Sequence, residues 1–245
     1  MKTPRARSLL AMDAAGASCS VALWVGDRVV ASRFTAMARG QSERLVPMIA
    51  EVMAEWSGGF ADLDALAVTT GPGGFTGVRI GLATARGLAL ARGLPLIGIT
   101  SFEVAAAAAS AAERAGRQLL AVIDSKRNEL FLQRFDSDLA PLGPPGEIAL
   151  AQLAAVLPPG PLVVTGDAAD RALAALEAAG RQDAIAAAGA GPAEAVLLAA
   201  RAALRDPATA GAAAVQPVYL RPPDVTLPKA VGALAPAGRK GGPRT

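Results

Sequence analysis

Leu66-Ala67-Val68-Thr69-Thr70-Gly71-Pro72-Gly73-Gly74-Phe75-Thr76-Gly77-Val78-Arg79-Ile80-Gly81-Leu82 is the stretch on which the fold turns. Its first five residues, ended by Gly71-Pro72, read as a short buried strand. The residues after the loop place Val78, Ile80, Leu82, Leu88 and Leu90 along a helix from about Thr76 to Arg92. Strand, glycine loop and helix make a βα unit. Leu96-Ile97-Gly98-Ile99 then returns to the sheet as a short parallel strand covered on both faces. The fold class that follows is α/β.

Working outward, Leu9 to Val30 alternates apolar residues around Gly26-Asp27, the turn signal of a hairpin. A helix beginning near Gln41-Ser42-Glu43-Arg44 carries Leu45, Val46, Ile49, Val52 and Met53, with Ser42 as its expected cap and Pro47 acceptable only near its first turn. Another helix is expected from Ser101 to about Arg114. The strand pattern restarts at Leu119 to Asp124, turns at Ser125-Lys126-Arg127-Asn128 and runs back through Glu129 to Phe135. Asp13 and Asp124 both close a buried strand and both precede a polar turn, which suggests an internal duplication. Pro-rich loops at 141–146 and 157–161, a strand at Leu162 to Thr165 with a Gly166-Asp167 exit, and Ala-rich helices at about 168–180 and 192–205 complete the pattern.

Composition narrows the chemistry. The 245 residues are 52% hydrophobic but only 4% aromatic, so Ala, Leu, Val and Ile must fill the core. Histidine is absent, which removes a Ser-His-Asp triad, a Cys-His dyad and any His-based metal site from this chain. The lone Cys19 reads as a small buried side chain. Net charge is +3, with part of the excess near the two ends; two solvated tails explain it more simply than an RNA-binding surface, and no aromatic and basic platform stands out. Apolar segments are short and interrupted, so no membrane span is expected, and the start of the chain does not read as a signal peptide; a cytoplasmic protein is expected.

Two readings of the loop Gly71 to Gly77 stand side by side. Its amides open a helix and can cradle an anion, yet it has neither the Lys-Ser/Thr ending of a Walker loop nor a dinucleotide spacing. The plainer reading is a tight turn in which Phe75 plugs the core. Asp13 and Asp124 likewise suit either phosphate-bound metal or local capping of their own turns.

Taken together, Leu10-Ala11-Met12-Asp13, Cys19 to Leu23, Ser42-Glu43-Arg44-Leu45, the block from Thr70 to Leu82, Gly98-Ile99-Thr100-Ser101 and Pro217-Val218-Tyr219-Leu220-Arg221 resemble the TsaB (YeaZ) family, which takes part in forming threonylcarbamoyladenosine on tRNA. The block from Gly71 to Leu82 is the most specific of these, with Gly71, Pro72, Gly73, Gly74, Phe75, Thr76, Gly77 and Arg79 as its signature. The resemblance implies an actin-like ATPase fold of two related lobes with mixed sheets flanked by helices, residues 1–101 and residues 102–223; the residues 224–245, rich in Pro, Gly and Ala without periodicity, read as a loose tail. It implies a scaffold or activator without catalytic residues, bound to the transferase TsaD and joined by the ATPase TsaE. Threonylcarbamoyl would be transferred to the adenosine next to the anticodon. ATP and a metal belong, in that picture, to the partner subunits, no metal to this chain, and tRNA is reached through the complex.

Family members pair through helices of the first lobe, with TsaD or with themselves; here Leu45, Ile49, Met53, Val78 and Leu82 are the candidate seam. Three departures accompany the resemblance. Gln41 stands where relatives commonly have His, Ala14-Ala15 replace Thr-Ser after the first Asp, and Asn128 replaces the Gly of the second hairpin. Asp13 and Asp124 then become vestigial phosphate or metal positions. The competing reading is an autonomous nucleotide-binding kinase or ATPase of the same fold.

Overall fold

A computed structural model describes residues 8–189, 196 and 215–221. The helix expected over 192–205, apart from Val196, and the tail expected from residue 224 lie outside these. The first sheet contains β1 (Ser8–Asp13), β2 (Ser18–Val25), β3 (Arg28–Ala36), β4 (Ala65–Thr69) and β5 (Leu96–Ile99), in the order β3-β2-β1-β4-β5. Between them run α1 (Gln41–Met53) and α2 (Phe75–Arg92). After α3 (Ser101–Ala106) and α4 (Ala111–Arg114) comes the second sheet: β6 (Gln118–Asp124), β7 (Glu129–Phe135), β8 (Gly146–Ala149), β9 (Leu162–Thr165) and β10 (Ala184–Ala186), with α5 (Leu153–Val156) and α6 (Ala169–Ala178).

The second sheet is ordered β10-β9-β6-β7-β8, which is the first sheet's order repeated. In both, the first three strands are antiparallel neighbours and the last two are added in parallel. This duplicated mixed sheet is the actin-like architecture. The last parallel pair of each sheet needs a helical crossover, and α2 and α6 supply it.

Side chains of the first sheet alternate between two apolar layers, as the pleat requires. Leu10, Met12, Val21, Leu23, Leu66, Val68 and Leu96 face α1 and α2, whereas Leu9, Ala11, Ala22, Ala65, Ala67, Ile97 and Ile99 face the opposite side. There they meet Val104 of α3. The same short helix turns Phe102, Ala105 and Ala106 into the second sheet's core, against Leu119, Ile123, Phe131 and Phe135. α3 is therefore wedged between the lobes, and the Thr165 hydroxyl donates to the Ala105 carbonyl at 2.9 Å. Alanine is what lets one helix fit between two sheets.

Several local expectations change. The helix over 101–114 is two helices, because Ser110 and Glu113 form a second capping box after that of Thr100 and Glu103. Ser42 is not the cap of α1, which starts after Gly40 in the left-handed region without a side-chain cap. Pro47 lies in the second turn of α1 rather than its first, on the exposed face, so the amide it lacks would have bonded on the solvent side. Strands β8 and β10 escaped the sequence reading because each has only three or four residues and no alternation. In the second hairpin the left-handed residue is Lys126 (φ 61°), and Asn128 takes no positive φ. Cys19 is buried as expected, and its burial pushes its thiol up to about 11. None of the described helices is long and apolar enough to cross a membrane.

Candidate functional site

The loop Gly71 to Gly77 lies against the turn that follows β1. The Gly74 amide donates to the Ala15 carbonyl at 2.7 Å, the Gly71-Pro72 bond is cis, and Ser101 donates its amide to the Gly71 carbonyl at 2.8 Å. A β-carbon on Gly73 would stand closer than 3.0 Å to the Ala15 carbonyl oxygen, and one on Gly77 closer than 3.0 Å to that of Ala14. Glycine at 73 and 77 is thus dictated by the approach of two backbones. Ala14-Ala15 belongs to the same fit.

Phe75 does not plug the core. It is 42% exposed, its ring lies 5.7 Å from that of Tyr219, itself 43% exposed, and the Arg79 guanidinium sits 3.6 Å over it. The Arg79 Nε–H donates to the Tyr219 hydroxyl at 3.1 Å. An aromatic and basic cluster therefore exists after all, built from residues 140 positions apart. Sequence spacing carries no signal for such a pair. Beside it, a groove of about 550 Å³ runs between the β1–β2 turn and the first turns of α1 and α2, lined by Gly16, Arg39, Gln41, Phe75 and Lys126 among others.

The two aspartates behave differently. Asp13 is fully buried; its Oδ1 accepts the Ala15 amide at 2.7 Å, and Oδ2 has no hydrogen-bond partner among the described residues. Burial raises its pKa to about 6, against the smaller opposing pull of the Ala15 amide and the adjacent Thr69 hydroxyl. It caps its own turn. Asp124 opens toward the cleft between the lobes, where Oδ1 meets Arg171 at 2.9 Å and Oδ2 meets the Lys126 ammonium at 3.0 Å. Burial pushes its carboxyl up, but the Lys126 side chain and amide and the Arg171 charge outweigh it and hold the pKa below the ordinary value. The Asp124 amide donates to Asp167 Oδ1 at 2.7 Å, so the Gly166-Asp167 exit ties two parallel strand ends together.

A space of about 20 Å³, room for roughly one water, lies between the lobes against Gly73, Ser101, Asp124, Lys126 and Asp167. The Ser101 hydroxyl beside it is buried without a partner among the described residues. These groups fit a nucleotide-bound metal poorly. One carboxylate is turned inward on the Ala15 amide, the other is matched by two cations of this chain, and Ala14-Ala15 bring no hydroxyl. No group of three or more metal-ligating side chains occurs among the described residues. Arg171, which completes this arrangement, was not singled out in sequence; a lone arginine in an Ala-rich helix looks like a solvated charge.

The five candidate seam residues need correcting. Leu45, Ile49, Met53, Val78 and Leu82 are all buried in the layer between α1, α2 and the first sheet, so they hold the lobe together and are not a surface. Besides Phe75, the exposed large apolar residues of these helices are Val46 (58% exposed) and Leu90 (86%). Beside Leu90, the outer face of α2 carries Arg79, Ala83 and Gly87.

The family model described as tRNA N6-adenosine threonylcarbamoyltransferase (TsaD) matches residues 35–169, more than half of the chain. The tRNA threonylcarbamoyladenosine biosynthesis protein TsaB of Escherichia coli K12 is 38% identical over 130 residues, which are 53% of this chain and 55% of that protein. The solved structure of YeaZ from Pseudomonas aeruginosa is similar at a TM-score of 0.72 and 25% identity, covering 87% of this chain and 99% of that one.

The chain belongs to the TsaB (YeaZ) family.

A tRNA N6-adenosine threonylcarbamoyltransferase of Erythrobacter litoralis is 52% identical over 66 residues, 27% of this chain and 19% of that protein. The chain spans about half the length of the curated TsaB relative it matches. In this chain the glycine loop and the Ala14-Ala15 turn form one packing unit.

Proposed function

We propose that this chain is a non-catalytic, cytoplasmic subunit in the formation of threonylcarbamoyladenosine on tRNA. It acts as scaffold and activator for a TsaD-type transferase together with a TsaE-type ATPase. Membership of the TsaB family supports the pathway. The observation that carries the non-catalytic role is the pairing of Asp124 with Lys126 and Arg171 while Asp13 is buried on its own turn. With both carboxylates engaged inside the chain and no histidine available, the groups that bind ATP and metal are assigned to the partners. The transferase is proposed to dock on the outer face of α1 and α2 around Val46, Arg79, Ala83, Gly87 and Leu90. Small residues there let a partner helix approach closely, and the same face allows self-pairing when the partner is absent. tRNA is reached through the assembled complex.

The test is depletion of this protein in its native cell, with mass spectrometry of tRNA nucleosides and of whatever co-purifies. Loss of threonylcarbamoyladenosine and recovery of the transferase are expected. Intact modification after depletion would refute the reading, and heat on titrating ATP and magnesium into the isolated chain would favour an autonomous ATPase instead.

A further inference from the structure

Residues Val215 to Arg221 cross from one lobe to the other in a single extended pass. At its start Val215 enters the core layer of the first lobe, next to Gly98, and its carbonyl accepts from Arg86. In the middle the Val218 amide donates to the Thr70 carbonyl at 2.8 Å, at the root of the glycine loop, and Tyr219 meets Phe75 and Arg79 at the first turns of α2. At its end Leu220 packs on the second lobe's core. There Arg221 pairs with Glu129 (3.2 Å) of β7 and with Glu147 of β8, its guanidinium 5.8 Å from the Phe131 ring.

Among the described residues, the lobes are otherwise joined by the chain at Thr100, by the α3 wedge and by Val196, which packs on the first lobe's core. Those contacts are mainly apolar, with the Thr165 to Ala105 hydrogen bond among them, whereas Arg221 sets a guanidinium on carboxylates of β7 and of the edge strand β8. The three carboxylate and guanidinium side chains remain between a fifth and two fifths accessible, so water and salt reach them. We propose that Val215–Arg221 is an interlobe latch: Arg221 on Glu129 and Glu147 is its lock, and its state is transmitted through Tyr219 to Phe75 and Arg79 at the start of α2. Opening the lock in the second lobe then loosens contacts made in the first.

Tyr219 is the chain's single tyrosine, which gives a direct probe. In the full chain labelled with 3-fluorotyrosine, the one fluorine resonance is measured for the unaltered protein, for Glu129→Gln with Glu147→Gln, for Arg221→Lys, and for Glu55→Gln, which removes an unrelated ion pair with Arg33. The double change is expected to move the resonance toward its position in the urea-unfolded chain and to speed exchange of the Val218 amide at least tenfold. Arg221→Lys should give a smaller move, and Glu55→Gln none. Raising salt on the unaltered chain to about 1 M, where the screening length falls to about 3 Å, should shift the resonance in the same direction even if the double variant does not fold. A Tyr219 resonance unmoved by salt, or unmoved in a folded double variant, overturns the latch, as does an equal shift in Glu55→Gln.

Discussion

Gly77 faces the Ala14 carbonyl so closely that a β-carbon cannot be placed between them. The relationship joins residues 63 positions apart, the first turn of α2 and the turn after β1. Gly77→Ala must push two backbones apart, at a cost of about 2 kcal/mol or more. Thermal unfolding should show a midpoint lower by several degrees. Gly87→Ala is the contrast, since nothing lies within 4 Å of that site, and replacing a helical glycine there should add about 0.5–1 kcal/mol. A similar loss at both positions would contradict the packing.

Asp13 gives the chain a pH dependence opposite to that of its surface carboxylates. With a pKa raised from the ordinary carboxylate value of 3.8 to about 6, the folded state holds a proton that the unfolded state has released between those values. Stability from this group therefore falls as pH rises from about 4 through 6 and stays reduced above that. Asp13→Asn keeps the oxygen that accepts the Ala15 amide and removes the buried charge. Denaturant unfolding at pH 7.5 should show the variant more stable, by at most about 3 kcal/mol, and the gap should close as pH approaches 4. A gap that widened on acidification would reverse the assignment.

Leu45 and Val46 are neighbours in α1 with opposite roles. Leu45→Ala empties a fully buried position and should lose about 2–5 kcal/mol. Val46→Glu changes an exposed one and should leave stability within about 0.5 kcal/mol, yet it should weaken co-purification of the transferase. Intact pairing in Val46→Glu, alone and combined with Leu90→Glu, would move the docking surface elsewhere.

Phe102 is the largest side chain that α3 sends into the second lobe, and it is fully buried. Phe102→Ala should remove about 3–5 kcal/mol and, because α3 also reaches the first sheet through Val104, should split unfolding into separate lobe transitions in calorimetry. A single, merely lowered transition would mean that the wedge does not couple the lobes.

Much of the fold was legible along the chain. The run from Leu66 to Leu82 announces strand, loop and helix through local rules of period and turn chemistry, and the matching aspartates at the ends of β1 and β6 announce the duplication. The short strands β8 and β10 were not legible, because three or four residues carry too little pattern. The glycine loop was visible as a signature, but not the reason for its glycines.

By itself the sequence determined what depends on neighbours a few positions apart: the element types, the small-residue core, and, through the missing histidine, the chemistry that this chain lacks. Tertiary structure alone decided which face of α1 and α2 is spent on the core, that Phe75 stands outside it against Tyr219, and that Asp13 turns inward while Asp124 meets Lys126 and Arg171. Those outcomes depend on contacts between residues from two to 144 positions apart, some of them local. A backbone meeting a backbone, or a guanidinium meeting a carboxylate, leaves no period in the sequence when the partners come from elements that only the packing of each lobe brings together.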